Sequence, residues 1–284
     1  MNLATIRLMS KVLFLPTDIT VVLPQEPALP GEKLPVVWLL HGANGDHRTY
    51  LYDVDFDAIL KKHRCIIVMP SALNSDYGNY PAFGTGYRFA DYFFEELIPF
   101  IRATFPVSEK REDNYIEGAS MGGYGAMMLG LMHPEMFSAI GILGASLRES
   151  RFLEPYADKS SDAFRADALA DPRAFPTEYG PPQFGIKRKE VNVITKYPTI
   201  RDFLASPECM WRRFPEVAEE GMLPKIYAAC GSEDLFYETN LHFRELVRQL
   251  GLEDQAYFDL PEGIGHDSEY FARQIGAFLD YYGV

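Results

Sequence analysis

The sequence is poor in cysteine, with three in 284 residues, standing far apart at Cys65, Cys209 and Cys230. Three scattered thiols build neither a disulfide framework nor a zinc knuckle. Cys65 and Cys230 fall inside apolar, strand-like runs, so reduced and buried thiols are expected. Positive charge is also scarce. The 27 Lys and Arg face 40 Asp and Glu, leaving a formal net charge of −13 and no basic run able to follow a phosphate backbone. That argues against nucleic acid as a partner. No apolar run approaches the length that crosses a bilayer, and residues 1–24 lack a charged leader followed by an unbroken apolar stretch. The expectation is a soluble, cytoplasmic protein with no membrane partner, although a mature chain cloned without a leader would read the same. No two histidines stand at ligand spacing, which disfavours zinc. Internal repeats and low-complexity tracts are missing too.

What is present is apolar character, at 47% of residues, enough for one large core in a single domain. The β-prone Asp18 to Pro24, followed by a Pro/Gly-rich stretch to Lys33, suggests antiparallel strands at one sheet edge. Pro35 to Leu40 is continuously apolar and ends in His41-Gly42, as a strand buried on both faces should. The pattern then alternates. A helical stretch at Asp53 to Lys62 precedes an apolar run at Cys65 to Pro70, and a long helical pattern covers Arg88 to Thr104. Asn114 to Ala119 reads as a strand, Met121 to Met132 as a helix stopped by Pro134, and Phe137 to Leu143 as a strand. After an interruption come a strand at Lys225 to Gly231, a helix at Tyr237 to Leu250, a strand at Gln255 to Leu260 and a helix at Ser268 to Tyr281. Strands alternating with helices predict an α/β protein with a largely parallel sheet covered on both faces. The interruption, Ser146 to Leu223, is mixed in charge and dotted with Pro. It reads either as an inserted cap or lid over the active site or as a structural side lobe. Thr199 and Asp202 within it can form a loose capping arrangement.

Ser120 lies between the strand ending at Ala119 and the helix starting at Met121, in Gly118-Ala119-Ser120-Met121-Gly122. A nucleophile on a sharp strand-to-helix turn stands clear of the sheet, and bulk two residues to either side would collide across the turn. The competing reading is a Gly-rich helix start with Ser120 as its N-cap. A serine hydroxyl needs a base with a near-neutral pKa, which means histidine. His47, His63, His133 and His242 suit surface or capping roles. His266, in Gly263-Ile264-Gly265-His266-Asp267, follows the last strand, where a base must sit to lean over a serine at the C-terminal edge of a parallel sheet. The acid that orients it is expected at Asp234, in the loop after the strand at 225–230, with Glu233 its nearest rival and Asp259 a weaker one. Ser120, Asp234 and His266 run in the order nucleophile, acid, base, unlike chymotrypsin or subtilisin. The oxyanion donors are expected to be the backbone N–H of Met121 and that of Ala43, in the turn His41-Gly42-Ala43-Asn44-Gly45. His41 reads as a loop brace.

Leu39-Leu40-His41-Gly42, Glu96-Leu97-Ile98-Pro99, Gly118 to Ala126, His133 to Phe137 and Gly265-His266-Asp267 together resemble the esterase D family. That group includes tributyrin-esterase-like, feruloyl and acetylxylan esterases and, more distantly, S-formylglutathione hydrolases. The resemblance covers most of the chain outside 146–223. It implies an α/β-hydrolase fold, no cofactor, short acyl or aryl esters as substrates, carbohydrate-linked ones among them, and the triad and oxyanion residues named above. One departure bears on specificity: relatives often carry Trp two residues after the histidine, where this chain has Ser268. The loop from Ser71 to Tyr87 should lie near the acyl or alcohol site, with Tyr77, Tyr80 and Tyr87 as candidate substrate contacts or simple packing residues. Three functions follow: a serine carboxylesterase, a thioesterase or acyltransferase on the same machinery, or a catalytically silent binding fold. The sequence leaves homo-oligomerisation open.

Overall fold

The computed structural model describes residues 1–80, 87–170 and 197–284. Strands β1 (Asn2–Met9), β2 (Pro16–Leu23), β3 (Val36–Leu40), β4 (Ile66–Pro70), β5 (Asn114–Ala119), β6 (Ala139–Leu143), β7 (Lys225–Ala229) and β8 (Ala256–Asp259) form one sheet in the order β1-β2-β4-β3-β5-β6-β7-β8. β2 pairs antiparallel with β1 and β4, and every other pairing is parallel. The antiparallel edge expected from the sequence is present, but its turn is not the Pro/Gly-rich stretch after Pro24. β1 precedes β2, and the reversal closes with Ser10 N–H donating to the Leu15 carbonyl at 3.1 Å. β1 escapes a reading by hydrophobicity because its residues are exposed or half-buried throughout, as befits an edge strand.

The helices are α1 (Phe56–Lys62), α2 (Phe89–Asp91), a π-helical segment (Tyr92–Leu97), α3 (Ile98–Thr104), α4 (Met121–Met132), α5 (Ser150–Leu153), α6 (Ser161–Ala170), α7 (Ile200–Ala205), α8 (Met210–Glu219), α9 (Tyr237–Gln249) and α10 (Ser268–Tyr282). They bury both faces of the sheet, which is why β3, β4, β5 and β6 are apolar without alternation. Val36, Trp38 and Leu40 of β3 point into one layer with residues of α4, α8 and α9. Val37 and Leu39 point into the other, with Phe56 of α1 and Phe278 of α10. Among the described residues no helix is long and apolar enough to cross a membrane.

The described parts of segment 146–223 pack on this core. α8 inserts Met210, Phe214 and Val217 into the first layer, where Phe214 meets Phe243 of α9 edge-on at 5.0 Å. The Trp211 indole N–H donates to the Leu147 carbonyl at 2.7 Å, and the Tyr124 hydroxyl to the Glu208 carbonyl at 3.0 Å. Its last helix therefore covers the sheet. Thr199 and Asp202 form a reciprocal capping box at the start of α7. Residues 171–196 of the expected cap lie outside the described residues.

Glu117, in the middle of β5, is fully buried, opposite Leu39 on one side and Gly141 on the other. Neither carboxyl oxygen has a hydrogen-bond partner, and burial pushes the group well above the ordinary carboxylate range, so it folds as the neutral acid. The unfolded chain ionises Glu117 near its ordinary value of 4.5. Above that pH the folded state binds the extra proton, and stability falls as pH rises, by about 1.4 kcal/mol per unit until the folded pKa is reached. Glu117→Gln removes this dependence. The variant should melt higher than wild type at pH 8 and close to it at pH 5 in thermal unfolding scans; an equal shift at both pH values would contradict the assignment.

Candidate active site

Ser120 leaves β5 at φ 56° and ψ −119°, a left-handed backbone that a side-chain-bearing residue adopts only under constraint. It occupies the N-cap position of α4, yet its side chain makes no capping hydrogen bond. The N-cap reading of the motif therefore fails. What holds the strained turn is close approach: a Cβ on Gly122 would stand 1.9 Å from the Leu40 carbonyl oxygen, and one on Gly118 would stand 2.5 Å from it. Only glycine lets the end of β3 pass this near to the turn. Ser120 N–H donates to the Leu143 carbonyl at 2.7 Å, which ties the turn to the end of β6.

Asp234 and His266 meet as the sequence order suggested. His266 Nδ1 lies 2.7 Å from Asp234 Oδ2, and the Asp234 side chain is completely buried. A carboxylate accepts there, so Nδ1 carries the proton and Nε2 presents its lone pair. The other carboxylate oxygen takes the Phe236 N–H at 2.8 Å. The rival Glu233 is exposed, while Asp259 accepts from Tyr270 and Gln274. Phe236 and Phe271 pack edge-on against the imidazole at 5.6 and 5.0 Å. The two loops are laced together, Glu233 N–H donating to the Ile264 carbonyl and Gly263 N–H to Ser232 Oγ. Gly144, directly after the residue that receives Ser120 N–H, packs on Asp234. At φ 51° its Cα is so close that a Cβ would lie 2.8 Å from Asp234 Oδ2 and 2.5 Å from the Phe271 ring.

The turn after β3 touches Ser120 directly, since a Cβ on Gly42 would stand 3.5 Å from Ser120 Cβ. Met121 N–H is the first amide of α4 and has no acceptor within its own helix. His41 braces this turn as expected. Its Nε2 accepts the Ala72 N–H at 2.9 Å, which leaves Nδ1 to donate to the Gly42 carbonyl at 2.7 Å. Burial pushes its pKa below the ordinary imidazole range and keeps it neutral.

The candidate tyrosines separate. Tyr77 departs from the substrate-contact expectation: it is 2% exposed, its ring covers Gly125, and its hydroxyl donates to the His41 carbonyl at 3.1 Å. Tyr80 and Tyr87 pack edge-on at 5.9 Å, their backbones joined at 2.6 Å, and Tyr87 reaches solvent. Residues 81–86 between them lie outside the described residues. His63 caps the C-terminus of α1, one of the two roles expected of it, while His47 departs from a surface role. His47 is buried and bonded to Thr20 Oγ1, and the His63 ring bonds Asp280 and a terminal carboxylate oxygen of Val284. Tyr50 carries no sequence signal, yet it is buried at the end of β3 with its hydroxyl between the Leu40 carbonyl and the Ala119 N–H.

Sheet order and site geometry define the class, a serine hydrolase of the α/β-hydrolase fold. Residues 10–274 match the family described as "Putative esterase", and the chain belongs to that esterase family. An acetyl esterase of Caldicellulosiruptor saccharolyticus is 27% identical over 290 residues, covering 99% of this chain and 98% of that protein. Among solved structures, the fluorophosphonate-binding serine hydrolase FphF of Staphylococcus aureus superposes with a TM-score of 0.76 at 21% identity, covering 99% and 98% of the two chains. The S-formylglutathione hydrolase FrmB of the same organism gives 0.72 at 22%, covering 99% of each chain. A ferulic acid esterase gives 0.70 at 22%, covering 99% and 97%.

The close approach of β3 to the turn has a direct test in Gly122→Ala. The added methyl meets backbone on three sides, at Leu40 O, Leu40 C and His41 O, so the turn must move. Turnover of p-nitrophenyl acetate should fall by at least about a hundredfold, since displacements of an ångström cost about that much. Retention of more than a tenth of wild-type kcat would show that the turn tolerates the shift.

Proposed function

We propose that the protein is a carboxylesterase that releases short acyl groups, acetyl foremost, through an acyl-enzyme on Ser120. One observation carries the reading. A serine held at positive φ and not used as a cap donates its N–H to Leu143 at the end of β6, and the glycine that follows Leu143 packs on Asp234, the partner of His266. In this reading Ser120 Oγ attacks the ester carbonyl while His266 Nε2 takes its proton, and Asp234 holds the imidazole and balances the imidazolium. The oxyanion accepts from the N–H groups of Met121 and Ala43, the first also lying at the positive end of the α4 dipole. The carbon–oxygen bond then breaks, His266 protonates the departing alkoxide, and water repeats the sequence on the acyl-enzyme to release the acid. The acetyl preference rests on the acetyl esterase that aligns along nearly the whole of both chains. The neighbouring ferulic acid esterase and S-formylglutathione hydrolase keep aryl esters and thioesters as second substrates for the same attack. Segment 146–223 supplies a cover for the acyl site in this proposal. It is anchored by Arg148, which is paired with Asp76 at 3.0 Å and stacked over the Tyr124 ring.

A fluorophosphonate probe should label wild type at Ser120 and leave Ser120→Ala unlabelled. With p-nitrophenyl acetate, Ser120→Ala and Asp234→Asn should each lose at least about a thousandfold in kcat. Side-by-side rates on acetyl, butyryl and feruloyl esters and on S-formylglutathione give the substrate order, with acetyl expected highest. Full turnover by Ser120→Ala would overturn the nucleophile. A folded wild type that neither labels nor turns over any ester would mark a binding protein instead.

A further inference from the structure

Three consecutive carbonyls leave β3 toward the nucleophile, and each accepts a hydrogen bond from a different buried side chain. The Tyr50 hydroxyl donates to Leu40 O at 2.8 Å, the Tyr77 hydroxyl to His41 O at 3.1 Å, and His41 Nδ1 to Gly42 O at 2.7 Å. Gly42 O also receives the Gly45 N–H at 3.1 Å. These partners come from three places in the chain: the 3-10 turn at Thr49–Leu51, the loop after β4, and the turn itself. A peptide unit is planar and its C=O and N–H point in opposite directions. Fixing Gly42 O therefore fixes the N–H of Ala43, and fixing His41 O fixes the N–H of Gly42. A Cβ on Gly42 would stand 3.5 Å from Ser120 Cβ, so these peptide units border Ser120.

We infer that His41, Tyr77 and Tyr50 are positioning residues that aim the Ala43 N–H at the oxyanion, with His41 acting on the same peptide unit and the two tyrosines on the units before it. The inference rests on the reading of Ala43 as an oxyanion donor. The physical reason for such a device is that a donor stabilises the tetrahedral intermediate most when it needs no reorientation as charge develops. Gly42 and Gly45 have no side chain with which to hold a peptide plane themselves. Each brace is itself locked. Ala72 N–H occupies His41 Nε2 and so selects the tautomer that donates from Nδ1. Ala119 N–H donates to the Tyr50 hydroxyl at 3.1 Å, so this one oxygen links the oxyanion strand β3 to the residue before the nucleophile. The Tyr77 ring is pressed on Gly125, one turn beyond Ser120 on α4.

Two substitutions at one position separate aiming from mere support. In His41→Asn the side-chain amide can replace Nδ1 as donor to Gly42 O but cannot reach Ala72. In His41→Gln the longer amide can meet Ala72 N–H and abandons Gly42 O. Both lose one of two hydrogen bonds, so both should melt lower by similar amounts. With p-nitrophenyl acetate, His41→Gln should lose about a hundredfold in kcat, the size of a lost oxyanion donor. His41→Asn should stay within tenfold, and KM should change less than threefold in either. Tyr77→Phe, which removes one oxygen, should lose less than His41→Gln and keep the same KM. For each variant the Ki of a boronic-acid inhibitor, whose trigonal boron becomes a tetrahedral anion on bonding Ser120 Oγ, should rise by the factor by which kcat/KM falls. Equal kcat in His41→Asn and His41→Gln, or a boronate Ki that stays constant while kcat/KM falls, would overturn the positioning role. The esterase reading is tested separately by the Ser120→Ala variant and probe labelling, neither of which depends on these braces.

Discussion

The turn at Ser120 exists because the end of β3 passes within van der Waals contact of it. Leu40 O lies where side chains on Gly118 and Gly122 would otherwise stand, and Gly42 lies against Ser120 itself. That contact brings the turn after β3 beside the serine and demands glycine on both sides of it. It also forces Ser120 into a backbone region that costs of the order of 1–3 kcal/mol. Packing around the sheet ends must supply that energy. The largely buried helix α4 behind the turn does part of this, and full burial of β3 and β5 does more, each buried large side chain contributing about 1.5–3 kcal/mol.

Strain is gathered at the same edge. Of seven non-glycine residues with positive φ among the described residues, six lie in loops at the C-terminal ends of parallel strands: Asn44 after β3, Leu73, Asp76 and Tyr77 after β4, Ser120 after β5 and Arg148 after β6. These loops brace one another with side chains as well as backbone. Asn44 and Asn74 exchange hydrogen bonds across two loops, Arg148 reaches back to Asp76, and Tyr77 reaches the turn after β3. The sheet supplies a rigid base, and the loops hold a geometry that none would adopt alone.

Hydrogen-bond direction organises the chemistry throughout. Asp234 sets the proton of His266 on Nδ1, and Ala72 sets that of His41 on Nδ1. In one case the lone pair is left on Nε2, away from the carboxylate. In the other a carbonyl is captured so that the opposite face of its peptide unit stays open. The same residue type thus does two jobs, distinguished by burial and by the partner at its second nitrogen.

Alternation of apolar runs with helical patterns, read locally, was enough for the α/β class, the parallel core and the antiparallel edge, because strands buried on both faces must be apolar throughout. The order of Ser120, Asp234 and His266, each just beyond a strand, was legible for the same reason: in a parallel sheet all such loops share one edge. Other features depended on contacts between distant segments, which carry no local period. β1 was hidden because an edge strand need not be apolar. Asp234 and Glu233 are adjacent and chemically alike, and only burial beneath His266 separates them. Tyr50 and Tyr77 lie ten and thirty-six residues from the carbonyls they hold, and a buried tyrosine's partner is set by where its hydroxyl emerges in the packed core. Sequence by itself determined that Ser120, Asp234 and His266 follow strands of one parallel sheet, because alternation is a local pattern, and tertiary packing decided which side chains meet and which way each of them points.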